Sequence, residues 1–239
     1  MPYRTFNLTE VCTYLHLSQP DVETLTRRQE IPFEKKGGRL IFRKKDIDVW
    51  ASQRILGFSN KRLAAYHKVS SAKAHDLSKQ HPIIAELVKK EYIQPALGSR
   101  TKPSLLRDMV ALAGQTGLVM SPAELLQSLL ERERLCSTAL PEGIALLHPR
   151  HHEPYMFDDS FIVLGRAAHP LPFGAPDGNT TDLFFLICCQ DDRIHLHVLA
   201  RLCMMCRDTK MLPETRVAPD AAAILDCLVR SENEAITRI

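Results

Sequence analysis

The sequence has no apolar run near the ~20 residues that a helix needs to cross a bilayer, so membrane insertion is not expected. Its opening stretch, MPYRTFNLTE, has no apolar core of the kind that a secretory signal carries, and a cytoplasmic chain is expected. Neither a GxGxxG run nor a Walker loop is present. The Gly-rich backbone cradle for nucleotide phosphates is therefore missing, and no cofactor is expected. The seven cysteines of such a chain read as reduced thiols rather than as a disulfide framework. The net formal charge is only +3, too small for a protein that coats nucleic acid along its whole surface.

The chain has 239 residues, enough for two domains at ~100–150 residues each. Apolar residues make up 45% and charged residues 25%, which is globular rather than disordered composition. The small net charge hides an asymmetry. Residues 1–95 carry 17 Lys+Arg against 10 Asp+Glu, and residues 96–239 carry 14 against 18. A basic front and an acidic back point to two modules with different partners, one of them polyanionic.

Residues 1–56 form the first module. Leu8, Val11, Cys12 and Leu15 follow helical spacing, with Asn7 or Thr9 as cap. Ser18 caps a second helix with Pro20 in its first turn and Val22 and Leu25 on its inner face. Ile31–Glu34 and Leu40–Arg43 flank Gly37-Gly38 and read as a hairpin, since paired glycines supply the positive φ of a tight turn. Asp46 is expected to cap a third helix, with Ile47, Trp50 and Ala51 facing inward. Helix, turn, helix, hairpin, helix is the layout of a small winged helix-turn-helix domain.

The string LTEVCTYLHLSQPDVETLTRRQEIPFEKKGGRLIFRKKDIDVW resembles the excisionase branch of the MerR-like winged helix-turn-helix family over about residues 7–52. The likeness lies in an ordered set: a leading Leu-Thr, a short turn after Tyr14-Leu15, Ile31-Pro32, the Gly-Gly hairpin and Asp48-Val49-Trp50. It implies DNA as a partner. Recognition by such a domain places one helix in the major groove while flanking cations neutralise phosphates. Arg27 and Arg28 end the recognition helix, and Lys35, Lys36, Arg39, Arg43, Lys44 and Lys45 decorate the hairpin and its exit. These eight are the candidate DNA contacts. A homodimer fits, because such proteins usually read paired half-sites.

Residues 57–91 read as a helical linker, with helical stretches near 60–67 and 82–91. A plain linker, a dimerisation helix and a further DNA contact all fit it. Residues 92–239 form the second module. Leu105 to Ala113 mark a helix, and Ser121-Pro122-Ala123-Glu124 opens another. Gly143–Leu147, Phe161–Leu164 and Leu183–Cys189 read as buried strands, followed by helices over about 196–207 and 220–230. Strands mixed with helices indicate an α/β domain, a central mixed sheet with helices on its flanks.

Within this module, Arg132-Glu133, Ser137-Thr138 and Gly143-Ile144-Ala145-Leu146-Leu147-His148-Pro149-Arg150 stand in order, followed by LPFGAPDGNTTDLFFLICC and IHLHVLARL. The set resembles the enzyme IIA domain of the fructose/mannitol type in the bacterial sugar phosphotransferase system, with the nitrogen-regulatory member as the nearest likeness. The resemblance covers about 92–232. It implies that His148 is the phosphoacceptor, Arg132 the cation beside it and His195 the second histidine of the site, with His197 next if the register slips by two. A phosphocarrier protein is then the implied partner. The chemistry suits the residues: a neutral imidazole is a competent nucleophile near pH 7, and phosphoryl transfer needs charge stabilisation more than covalent help. The sequence departs from the family's Pro-His-Gly at Leu147 and Pro149. Proline after the histidine removes a backbone N–H that could hold phosphate. A phosphoacceptor and a sensor domain that keeps the fold without the chemistry therefore both stay open.

No metal is expected. His148, His151, His152 and Glu153 cluster in sequence, as do His195, His197, Cys203 and Cys206, but the cysteines lie in an apolar helix and read as buried thiols. Together, the two resemblances predict a bacterial DNA-binding transcriptional regulator that senses phosphorylation through a histidine. The alternatives are a phosphocarrier enzyme IIA and a DNA-binding adaptor with an inactive IIA domain.

Overall fold

The computed structural model describes residues 5–15, 17–56, 81–150, 156–190 and 192–238. The N-terminal part contains β1 (Thr5–Phe6), α1 (Leu8–Leu15), α2 (Gln19–Arg27), β2 (Glu34–Lys36), β3 (Arg39–Arg43) and α3 (Lys44–Leu56). Its three strands form an antiparallel sheet in the order β1-β3-β2. Asn7 and Glu10 cap α1 reciprocally: Asn7 Oδ1 accepts the Glu10 N–H at 2.9 Å, and the Glu10 carboxylate accepts the Asn7 N–H at 2.8 Å. The Ser18 hydroxyl accepts the Asp21 N–H at the start of α2. Gly37 and Gly38, at φ 55° and 77°, make the hairpin turn. Val11, Leu15, Val22, Phe42 and Ile47 fill the core of this part.

One local expectation is corrected. Strand β3 runs into α3 at Lys44 with no intervening loop, so Asp46 lies in the first turn instead of capping the helix. Its charge still meets the positive helix end. Trp50 packs against the core as expected but is half-buried, with its ring N–H donating to the Glu30 carbonyl. Strand β1, too short to show a pattern, is set by the pairing of Phe6 with Phe42.

The expected helix at 60–67 lies outside the described residues. The expected helix over 82–91 is two pieces, α4 (Ile83–Leu87) and a 3-10 turn at Lys90–Tyr92, with Val88 extended between them. Ile83, Ile84 and Val88 are all buried, so this end of the segment read as a linker packs into the α/β domain.

That domain continues through β4 (Ile93–Leu97), α5 (Lys102–Gly114), α6 (Pro122–Leu135), β5 (Ala139–Leu140), β6 (Ile144–Leu147), β7 (Phe161–Leu171), β8 (Thr181–Cys188), α7 (Asp192–Asp208), α8 (Met211–Val217) and α9 (Ala221–Thr237). The five-stranded sheet has the order β4-β7-β8-β6-β5. Strands β4 and β7 are parallel, as are β6 and β8, while β7–β8 and β5–β6 are antiparallel. Strand alternation splits the apolar residues between two faces. Ala145, Leu147, Val163, Phe184 and Leu186 meet α5 and α6. Ile144, Leu146, Ile162, Leu164, Phe185 and Ile187 meet the layer of α7 and α9. Both faces are covered, which explains why these strands read as continuous apolar runs. The core of the N-terminal part is continuous with the α7 layer, against which α3 packs. No helix among the described residues is long and apolar enough to cross a membrane.

Candidate functional site

Strands β6 and β8 run parallel, so the segments that leave them emerge at the same edge of the sheet, the position where open α/β sheets usually hold ligands. His148 directly follows β6, and His195 sits in the first turn of α7, just past β8. Their rings lie 4.8 Å apart, tilted by 49°. Arg132 reaches the same point from the last turn of α6. Its Nε–H donates to His148 Nε2 at 3.0 Å. On the other side of the ring, His148 Nδ1 lies 2.9 Å from the Leu146 carbonyl.

These partners dictate the form of the imidazole. A carbonyl only accepts and a guanidinium only donates, so Nδ1 carries the proton and Nε2 presents its lone pair. The rest of the Arg132 fork is divided. Nη1 donates to the carbonyl and sulfur of Cys136 at 3.0 and 3.3 Å. Nη2 is buried with no hydrogen-bond partner among the described residues. A fully buried guanidinium with one idle donor beside a nucleophilic nitrogen is an arrangement that can meet an incoming oxyanion.

The cavity that joins these groups is lined by Arg132, His148, Pro149, Arg150, Asp192, His195 and Leu196, and also by Tyr14, Asp48 and Val49 of the N-terminal part. His197 is buried but does not line it, which places His195 at the site. Burial, then the nearby Arg201 cation, pushes the His197 imidazole down to about 3, so it stays neutral. Leu147 faces the core, away from the opening, while Pro149 borders it. His151, His152 and Glu153 lie outside the described residues. Among the described residues no group of three or more His, Cys, Asp or Glu side chains is arranged to hold a metal ion. Cys203 and Cys206 are buried in α7, where burial raises both thiols.

The N-terminal side of the cavity is charged. Tyr14 donates its hydroxyl proton to Asp48 Oδ1 at 2.6 Å, and Lys44 Nζ lies 2.9 Å from Asp48 Oδ2. The same ammonium also pairs with Asp192 of α7. Burial, reinforced by the adjacent Asp192 carboxylate, raises the Asp48 carboxyl above its ordinary range. Burial works against the charge on Lys44, but Asp192 and Asp48 together outweigh it and raise its pKa.

Lys44, one of the eight candidate DNA contacts, is half-buried here and pairs with two carboxylates between the two parts of the chain. Arg27, Arg28, Lys35, Lys36, Arg39, Arg43 and Lys45 are exposed. Arg43 and Lys36 share Glu34, and Arg28 pairs loosely with Glu30. An open groove of about 560 Å3 between α2 and the hairpin is lined by residues that include Thr26, Arg27, Gln29, Phe33 and Lys35.

Comparison with known proteins matches the model of the phosphoenolpyruvate-dependent sugar phosphotransferase system, EIIA 2, to residues 86–231. The chain belongs to this family. A helix-turn-helix domain model matches residues 5–55. A nitrogen regulatory protein of Bradyrhizobium diazoefficiens is 32% identical over 148 residues, 61% of this chain and 94% of that protein. The fold of the EIIA domain matches the crystal structure of the nitrogen regulatory protein IIA-Ntr from Neisseria meningitidis, with a TM-score of 0.56 and 24% identity over 61% of this chain and 99% of that one. It also matches the Escherichia coli complex of enzyme IIAMTL with phosphorylated enzyme IIBMTL, with a TM-score of 0.53 and 21% identity over 59% of this chain and 96% of that one.

Sequence reasoning named three members of the EIIA pocket, Arg132, His148 and His195, and missed four. Asp48 sits inside the Asp48-Val49-Trp50 element but gave no sign of a role outside its own domain. Tyr14 and Asp192 carry no motif. Arg150 follows Pro149 and lines the cavity, with its Nε buried and without a partner among the described residues. The loss of an N–H at Pro149 was the available signal to look for a replacement donor nearby.

Proposed function

We propose that this chain is a bacterial transcriptional regulator that binds DNA through residues 1–56 and reads a phosphoryl signal at His148 in its EIIA domain, residues 92–239. The observation that carries the reading is the shared pocket of His148, Arg132 and His195, in which Nε2 holds a lone pair and Arg132 Nη2 is idle. In this reading Nε2 of His148 attacks a phosphorus held by a phosphocarrier protein. Nδ1 keeps its proton on the Leu146 carbonyl, Arg132 stabilises the equatorial oxygens, and His195 donates a further hydrogen bond. Arg150 supplies the donor that Pro149 removes. Enzyme IIAMTL, a structural relative, forms a complex with phosphorylated enzyme IIBMTL. By that analogy the His148 face here takes a phosphorylated partner protein.

Incubation of the full chain with a phosphorylated phosphocarrier protein tests this. Acid-labile label is expected on the wild type and is expected to vanish in His148→Ala. Absence of label under donor excess would leave a DNA-binding adaptor with an inactive EIIA domain. On the DNA side, Lys45→Ala is expected to lower the slope of log affinity against log salt by about one phosphate contact, whereas Lys44→Ala leaves it unchanged. Equal slopes for both variants and the wild type would contradict the assignment of Lys45.

A further inference from the structure

Among the described residues the pocket of His148 is narrow, and part of the chain's own N-terminal domain narrows it. His148, His195 and Arg132 are 2%, 1% and 1% exposed. Between them and Tyr14, Asp48 and Val49, only about 10 Å3 is open to the centre of a water-sized molecule. That is room for roughly one water, whereas a phosphoryl group brings a phosphorus and three oxygens. The contact is also specific: Lys44 Nζ joins Asp48 of α3 to Asp192 of α7, and the Tyr14 hydroxyl closes on Asp48. Asp48 and Asp192 stand on that rim beside Lys44. A phosphoryl group on His148 adds about two further negative charges to the same cavity. The small volume opposes the docked arrangement once the phosphoryl is in place, and its charge is added next to Asp48 and Asp192.

We infer that the EIIA face around His148 is the docking surface of the chain's own winged helix-turn-helix domain, and that the docked domain and a phosphoryl group on His148 exclude each other. The inference rests on the proposed phosphoacceptor role. The occupant is the α1–α3 face that carries Tyr14, Lys44 and Asp48. A phosphodonor must reach His148 through the same opening, so it competes with that face. In the transfer itself, the Nε2 lone pair forms the new N–P bond as the donor's P–N bond breaks, and the leaving nitrogen takes a proton from solvent. Phosphorylation thus releases the DNA-binding domain from the EIIA domain, and docking of the DNA-binding domain protects His148.

The test uses the full chain, phosphoramidate as a small phosphoryl donor, and Lys44→Glu, which puts a third carboxylate between Asp48 and Asp192. Lys44→Glu is expected to take up phosphoryl about tenfold faster than the wild type, the gain when an open fraction of about one tenth rises toward one. Amides 44–51 and 192–198 are expected to exchange hydrogen faster both in Lys44→Glu and in the phosphorylated wild type than in the unphosphorylated wild type. Asp192→Asn, which weakens the contact from the EIIA side, is expected to act in the same direction and guards against a folding defect in α3. Equal uptake by all three chains, with exchange unmoved by phosphorylation, overturns the inference and leaves the phosphoacceptor role standing. No label on any chain, while Lys44→Glu still raises exchange, overturns the phosphoacceptor role and the exclusion with it.

Discussion

Replacing Arg132 with methionine is expected to slow phosphoryl uptake at His148 by roughly 10²–10³-fold, the usual cost of removing one preorganised donor from a developing oxyanion. In the resting site the guanidinium makes one bond to His148 Nε2 and two to Cys136, and it keeps Nη2 in reserve. Methionine frees the Nε2 lone pair yet removes the charge that the transferred oxygens would meet, so the barrier rises although the nucleophile is less encumbered. Lysine at the same position restores charge without the planar fork, and an intermediate rate is expected. Initial rates of label incorporation measure the effect. A methionine variant as fast as the wild type would mean that Arg132 only buttresses the loop at Cys136. The lifetime of the phosphorylated form adds a readout that a buttress would not move, since a bound guanidinium shields the N–P bond.

The second large effect concerns stability. Arg201 of α7 and Glu232 of α9 form an ion pair at 3.3 Å with neither side chain exposed. The Glu232 carboxylate also accepts the N–H groups of Ile84 and Ala85 at 2.9 and 2.8 Å, which pins the start of α4. Burial raises the Glu232 carboxyl above its ordinary range, while the two N–H groups and Arg201 pull it back. Glu232→Ala removes a buried carboxylate from Arg201 and strands the two amides at once. The expected loss is about 3–5 kcal/mol, or a fall of roughly 10 °C in the unfolding midpoint for a domain of this size. Circular dichroism melts of the full chain read it. Replacing both partners, Arg201→Met with Glu232→Met, is expected to recover only the part due to the broken ion pair, because the Ile84 and Ala85 N–H groups still lack their acceptor. A midpoint within 2 °C of the wild type for Glu232→Ala would show that water or a neighbouring side chain satisfies Arg201.

The central sheet could be read from the sequence because both of its faces are buried. Strands β6, β7 and β8 are runs of apolar residues bounded by turns, and their partners announce themselves by the apolar spacing from Leu105 to Ala113 in α5 and by Ser121 ahead of a proline in α6. Short elements could not be read. Strand β5 has two residues, and β1 has two, so neither has room for an alternation. The site residues are a different case. Arg132, His148 and His195 are far apart in the chain and share no spacing rule, so only the family pattern joined them. The role of Lys44 was hidden by its company. It stands in the run Arg43-Lys44-Lys45, three cations that look alike in sequence. The turn from strand to helix at Lys44 separates them, leaving its neighbours exposed and Lys44 half-buried. Asp48, four residues on, was in view as a helical partner. Asp192, 148 residues away, was not.

That long-range pair has a further consequence for how the molecule would respond in a cell. Lys44 and Asp192 belong to one covalent chain, so their meeting is unimolecular. The local concentration of one for the other is set by the covalent connection and not by the number of molecules. A weak contact then suffices to keep the two domains together, and the fraction held together does not change with the number of copies present. If the proposed function holds, the contact answers to the supply of phosphoryl donor and not to the abundance of the chain.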